Sequence, residues 1–260
     1  MNRITTLFKT KQKGILSVYF TAGYPALNDT ATIIQELESN GADLIEIGMP
    51  FSDPLADGPT IQRSSEIALE NGMSIKLLFQ QLKGARSEVP LILMGYLNPV
   101  LQYGIEAFCK EASGLGISGV IIPDLPMQEY LEEYKTIFET HDLKNIFLIT
   151  PQTSEERIRF IDAHSDGFIY MVSSASTTGA KSGIDAVQES YFKRIAEMQL
   201  KNPVLIGFGI SDNKTFSKAC EYANGAIIGS AFIKAVTQST DLKKSICEFV
   251  NSLLKTKERV

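Results

Sequence analysis

A chain of 260 residues that is 44% hydrophobic and 21% charged has an ordinary globular composition, outside the ranges of disordered, collagen-like or disulfide-dense chains. A formal net charge of -5 with no long Lys/Arg run excludes the electrostatic footprint of a nucleic-acid or anionic-lipid binder. Residues 1–9 have no apolar signal-peptide core and no run approaches the roughly 18 apolar residues of a membrane span, so a cytoplasmic location is expected, with small molecules or proteins as partners.

In chain order, an N-terminal helix is expected ahead of the first apolar run, residues 16–21, and a second run follows at 44–47. Residues 59–84 read as two helices separated by Asn71-Gly72, the second carrying the one-sided stripe Ile75, Leu78, Phe79 and Leu82. Further runs lie at 91–94, 119–122 and 145–149, with a less complete helical stripe at Leu131, Tyr134 and Phe138. Thr153 and Glu156 have capping-box spacing, so a helix should start there. The last runs, 168–172, 203–206 and 226–228, are followed by a short helical stretch at 230–236 and a final helix over about 241–254. The eight runs are continuous rather than alternating, as in parallel strands buried on both faces. No Pro/Gly/Ser-rich linker or charge block interrupts the alternation. Residues 1–260 are therefore read as one (β/α)8 TIM-barrel domain of the α/β class, with extra helices at the N-terminus, after strand 2 and after strand 8. A doubly wound open sheet is the rival architecture.

In a barrel the loops after the C-terminal ends of the strands carry the chemistry. Glu46 lies inside the apolar run Leu44-Ile45-Glu46-Ile47, where an ionised carboxylate is costly unless it is paired or its pKa is raised. An outward-facing Glu46 is the structural alternative. The loop from Gly48 to Pro59, with three prolines, two glycines and the hydrophobic Met49, Phe51 and Leu55, is too long and apolar to be only a turn. It carries Asp57, which could act in the site or simply favour the N-terminus of the following helix. Gly207, Gly209 and Ser211 follow the seventh run, and Gly229-Ser230 opens the short helix after the eighth. Together they have the form of a barrel phosphate site. Gly179-Ala180-Lys181-Ser182 lacks the spacing of a P-loop. Residues 173–183, rich in Ser, Thr and Gly, read as a mobile lid that brings Thr178 and Gly179 to the site on closure. Cys109, Cys220 and Cys247 are expected to be reduced core thiols, and His141 and His164 surface residues with no metal-ligand spacing.

Phe20-Thr21-Ala22-Gly23-Tyr24-Pro25, the block from Glu46 to Pro59, Met94-Gly95-Tyr96-Leu97-Asn98-Pro99, Pro123-Asp124-Leu125-Pro126 and the segment after Gly207 resemble the successive signatures of tryptophan synthase alpha chains over about residues 15–235. The resemblance implies retro-aldol cleavage of indole-3-glycerol phosphate to indole and glyceraldehyde 3-phosphate, without a metal or cofactor on this chain. By that resemblance Glu46 handles the protons at indole C3 and the side-chain hydroxyl, and Asp57 accepts the indole N–H. Tyr96 and Tyr19 help wall the indole pocket, Tyr170 lies near the substrate, Gly179, Gly209, Gly229 and Ser230 hold the phosphate, and Thr178 is a further substrate-binding residue of the lid. The lid has Ser176 and Thr177 where the family often has Gly-Val, which should stiffen its closure.

The resemblance further implies a pyridoxal phosphate-dependent tryptophan synthase beta chain as partner, in an alpha2beta2 tetramer. Indole would pass to it across a surface made of the loop 50–59, Asn98-Pro99 and Pro126, and neither nucleic acid nor membrane is implied. The rival enzyme readings are other phosphate-binding barrels. An indole-glycerol-phosphate synthase would place lysines at the strand ends where this chain has Glu46 and Asp57. A scaffold that only binds the beta chain would have no use for a charged residue in a buried strand.

Overall fold

The computed structural model describes residues 1–173, 185–207 and 209–254. Helix α1 (Arg3–Thr10) leads into β1 (Ile15–Thr21) and α2 (Thr30–Ser39). β2 (Leu44–Gly48) is followed by α3 (Pro59–Glu70) and α4 (Ile75–Leu82), and β3 (Leu91–Met94) by α5 (Leu97–Tyr103) and α6 (Ile105–Gly114). After β4 (Ile117–Ile121) come α7 (Met127–Glu129), a π-helical turn (Tyr130–Tyr134) and α8 (Lys135–Thr140). β5 (Lys144–Ile149), α9 (Glu155–His164), β6 (Ile169–Val172) and α10 (Ala186–Glu197) follow. The described chain ends with β7 (Val204–Gly207), α11 (Asn213–Tyr222), β8 (Gly225–Ile228), α12 (Ser230–Thr237) and α13 (Leu242–Leu254).

The strands pair in chain order, all parallel, and β8 returns to β1 through Ile15↔Gly225 and Val18↔Ile228. That last ladder decides for the closed barrel over the open sheet. Because side chains alternate along a strand, each strand feeds two cores. Val18, Phe20, Ile45 and Ile47 face outward into the layer between barrel and helices. Tyr19, Leu44, Ile92, Ile121, Tyr170 and Leu205 face inward. Helix α1 caps the N-terminal end of the barrel: Ile4 is fully buried in the interior cluster, and Phe8 packs on Phe168 with ring centroids 5.7 Å apart. Gly119 makes that fit possible, since a Cβ there would come within 2.8 Å of Ile4 Cδ1. Asn2 fastens the helix by donating to the carbonyls of Ser118 and Asp142 at 2.8 and 2.6 Å.

Four expectations need correction. The cap of α9 is Ser154, whose hydroxyl accepts from Arg157 N–H at 3.2 Å. Thr153 is already used in the preceding turn, accepting from Thr150 N–H at 2.9 Å. Asn98-Pro99 lies within the first turn of α5 rather than in a loop. Pro99 is tolerated there because first-turn amides have no helical acceptor, and Leu97 N–H is taken up by Asp124 Oδ1 at 2.9 Å. The stripe at Leu131, Tyr134 and Phe138 breaks at the π-helical turn, which shifts the helical phase so that Tyr130 is buried while Leu131 and Tyr134 are half-buried. Of the cysteines only Cys109 is a core residue; Cys220 and Cys247 are half-buried on helix flanks. Among the described residues no helix is long and apolar enough to cross a membrane.

Candidate active site

Glu46 occupies the middle of β2, level with Tyr19 on β1 and Ile92 on β3, and is fully buried. It does not face outward. Its Oε1 accepts a 2.7 Å hydrogen bond from Ser17 Oγ, and Oε2 has no hydrogen-bond partner among the described residues. Burial pushes its carboxyl up to about 8, against the opposing pull of the Ser17 hydroxyl. At neutral pH Glu46 is therefore predominantly protonated, as a general acid must be.

Two buried tyrosines share its chamber. Tyr19 projects inward from β1 and Tyr170 from β6, and both phenols are held far above their ordinary range, chiefly by burial. The charges of Asp57 and Glu46 add to that shift in each case. Each ring fits because the neighbouring strand carries a glycine at the contact. A Cβ at Gly48 would overlap the Tyr19 hydroxyl, and one at Gly207 the Tyr170 hydroxyl.

Asp57 arrives from the loop between β2 and α3. The residue capping α3 is Gly58, with no side-chain cap, so Asp57 is not spent on the helix end. Instead its Oδ2 accepts from Tyr96 Oη at 3.0 Å, and its carbonyl accepts from Gln62 Nε2 at 2.8 Å. Tyr96, just past β3, takes the Ala56 amide at 3.0 Å and stacks obliquely on Phe51 at 5.3 Å, so one phenol organises the whole loop. Burial raises the Asp57 carboxyl above its usual range, with the Tyr96 hydrogen bond opposing. Met49 is buried beneath Gly95, and Phe51 is half-buried on Tyr96. Leu55 alone of the three stands out, 82% exposed.

The two glycine loops end adjacent strands, since Gly207 pairs with Ile227. Gly209 has φ +74° and lies beside Ser173, while Gly229 begins α12 against the Tyr19 ring. Ser230 is the exposed first residue of α12, so the unpartnered amides of that helix open beside Gly209, in the form that suits an anion. Thr178 and Gly179, with the rest of the expected lid at 174–183, lie outside the described residues. A cavity of about 420 Å³ on the opposite rim, lined by Lys144, Asn145, His164 and Lys201 among others, contains none of these side chains. Among the described residues no three His, Cys, Asp or Glu side chains gather as a metal site would require.

Reading the sequence missed Ser17, and it assigned Gly48 and Gly207 to loops rather than to the contacts they make with the Tyr19 and Tyr170 rings. The available signal was spacing: Ser17 and Tyr19 share a strand face, and Gly48 follows Glu46 by one pleat period.

The family described as tryptophan synthase alpha chain matches residues 6–259. Relatives bearing that name include proteins of Flavobacterium johnsoniae, 63% identical over 97% of this chain and 100% of theirs, and Flavobacterium psychrophilum, 62% identical with the same coverage. Among solved structures, a tryptophan synthase alpha chain from Legionella pneumophila superposes with a TM-score of 0.86 at 32% identity, covering 97% of this chain and 96% of that one. A tryptophan synthase A-subunit from Pyrococcus furiosus gives 0.85 at 34% identity, covering 94% and 99%.

Proposed function

The chain belongs to the tryptophan synthase alpha chain family, and from that premise we propose which of its residues perform the family's reaction. The activity is that of a lyase in tryptophan biosynthesis, cleaving indole-3-glycerol phosphate to indole and glyceraldehyde 3-phosphate, with indole passed to a beta chain. Glu46, protonated at neutrality, delivers a proton to indole C3. Asp57 accepts the indole N–H and stabilises the positive charge that appears at the ring nitrogen. The ionised Glu46 then takes the side-chain hydroxyl proton; the bond from C3 to the side chain breaks, its electron pair returns to the indole ring, and the aldehyde leaves. Tyr19, Tyr96 and Tyr170 wall the indole. Amides at Gly209, Gly229 and Ser230 hold the phosphate, and Thr178 and Gly179 are the further substrate-binding residues.

Residues 1–260 form one domain that docks on the beta chain in a cytoplasmic alpha2beta2 assembly, and pyridoxal phosphate belongs to that beta chain. The observation that carries the catalytic assignment is a fully buried carboxyl, pushed up to about 8, facing the interior of a barrel two residues before the end of the strand whose following loop bears a second carboxyl. Glu46→Gln and Asp57→Asn should each lower kcat by about 10² to 10⁴-fold while substrate binding is largely kept. Near-normal turnover in either variant removes that residue from the mechanism.

A further inference from the structure

Strand β1 is buried along its whole length, and Ser17 is the hydroxyl residue in its middle. A buried hydroxyl is costly unless it is hydrogen-bonded. Laterally, Ser17 meets Leu44 on β2 and Ile227 on β8, both apolar. Its partner is found diagonally: Glu46 is level with Tyr19, one pleat period further along β1, and its carboxyl reaches Ser17 Oγ at 2.7 Å.

That geometry distinguishes the two carboxyl oxygens. The Ser17 hydroxyl donates to Oε1, whereas Oε2 is buried and has no partner among the described residues. We propose that Ser17 is a positioning residue for the cleavage: by gripping Oε1 it fixes the plane of the Glu46 carboxyl and makes Oε2 the oxygen that carries and delivers the proton. The proposal rests on Glu46 being the acid/base group. The terminal torsion of a glutamate is broad and roughly two-fold, so without the grip both oxygens and many orientations become equivalent, and delivery to one carbon atom loses its aim.

The hydroxyl also favours the ionised carboxyl, and so restrains the upward shift that burial imposes. Among the described residues the other titratable groups of the chamber are Tyr19 from β1, Tyr170 from β6, Tyr96 just past β3 and Asp57 from the loop after β2. The three phenols stay neutral through the working range, so removing Ser17 moves Glu46 without altering a charge.

The test is the pH dependence of kcat/KM for indole release in the wild type, Ser17→Ala, Ser17→Thr and Glu46→Gln, with thermal unfolding as the check on folding. The falling limb at alkaline pH reports loss of the Glu46 proton. In Ser17→Ala that limb should move to higher pH by about one unit and kcat at neutrality should fall about tenfold, while Ser17→Thr, which keeps the hydroxyl, restores both. If Ser17→Ala does not fold, Ser17→Cys fills the same space with a weak donor and should show the same direction of shift. An unmoved limb in whichever variant folds cooperatively overturns the role of Ser17. Retained turnover in Glu46→Gln overturns instead the assignment of Glu46 on which it stands.

Discussion

A carboxyl group fixed in the middle of a strand that is buried on both faces must choose between losing its water and losing its charge. Glu46 gives up the charge, and the choice has a consequence for stability. Its folded pKa, about 8, lies above the ordinary carboxyl value, so between those limits the folded chain binds a proton that the unfolded chain does not. Stability from this source is full below the ordinary carboxyl range and is lost as pH rises through about 8. Glu46→Gln, which has no proton to lose, should therefore unfold at a higher denaturant midpoint than the wild type above pH 8, by an amount worth a few kcal/mol, and the advantage should shrink toward pH 5. Parallel midpoints across that range would show that Glu46 is already ionised in the folded chain. Glu46 and Asp57 were legible in the sequence because a charge within an apolar run and an acid in a proline-rich loop are both anomalies. Ser17 was not, since a lone serine in a strand is unremarkable until β1 and β2 are in register and its hydroxyl meets a carboxyl.

At the level of elements, two inward tyrosines and two facing glycines form the walls of the chamber. Gly48 and Gly207 are strand residues with extended backbone, so space rather than conformational freedom requires them: a methyl group at either would strike a phenol held in packed surroundings. Gly48→Ala and Gly207→Ala should each destabilise by about 1–3 kcal/mol as overpacked cores do. That is several degrees in Tm at roughly 2–4 °C per kcal/mol for a chain of this size. Calorimetry on the two variants checks this, and an unchanged Tm would mean that the phenols swing aside freely. The strands themselves were readable within two residues because short continuous apolar runs, too short to span a membrane, have few other uses. Helix boundaries were less so. Thr153 and Ser154 are chemically equivalent caps on paper, and only the turn after β5 shows which hydroxyl is already engaged. The π-helical turn at Tyr130–Tyr134 likewise has no signature in apolar spacing, because it changes the spacing itself.

Across the whole molecule, the apolar surface left for a partner on the Asp57 loop is small. Met49 is buried and Phe51 half-buried, so Leu55, 82% exposed, is the apolar side chain this loop would offer to a beta chain. The beta chain should raise kcat for indole release, by an amount of the order of 1–3 kcal/mol of coupling. Leu55→Asp should weaken that activation, measured as indole release against beta-chain concentration. An activation curve identical to the wild type would place the contact elsewhere on the rim.

The floor of the barrel bears on the same question from the other side. Helix α1 drives Ile4 and Phe8 into the N-terminal end, above which the interior is filled by layers of Leu44, Ile121, Ile146 and Leu205. Among the described residues such a vessel has a closed base, so a small uncharged product formed at the proposed site would leave toward the C-terminal rim. A protein seated on that brim would then act as a gasket, and containment of indole would be decided at one rim rather than along the entire wall.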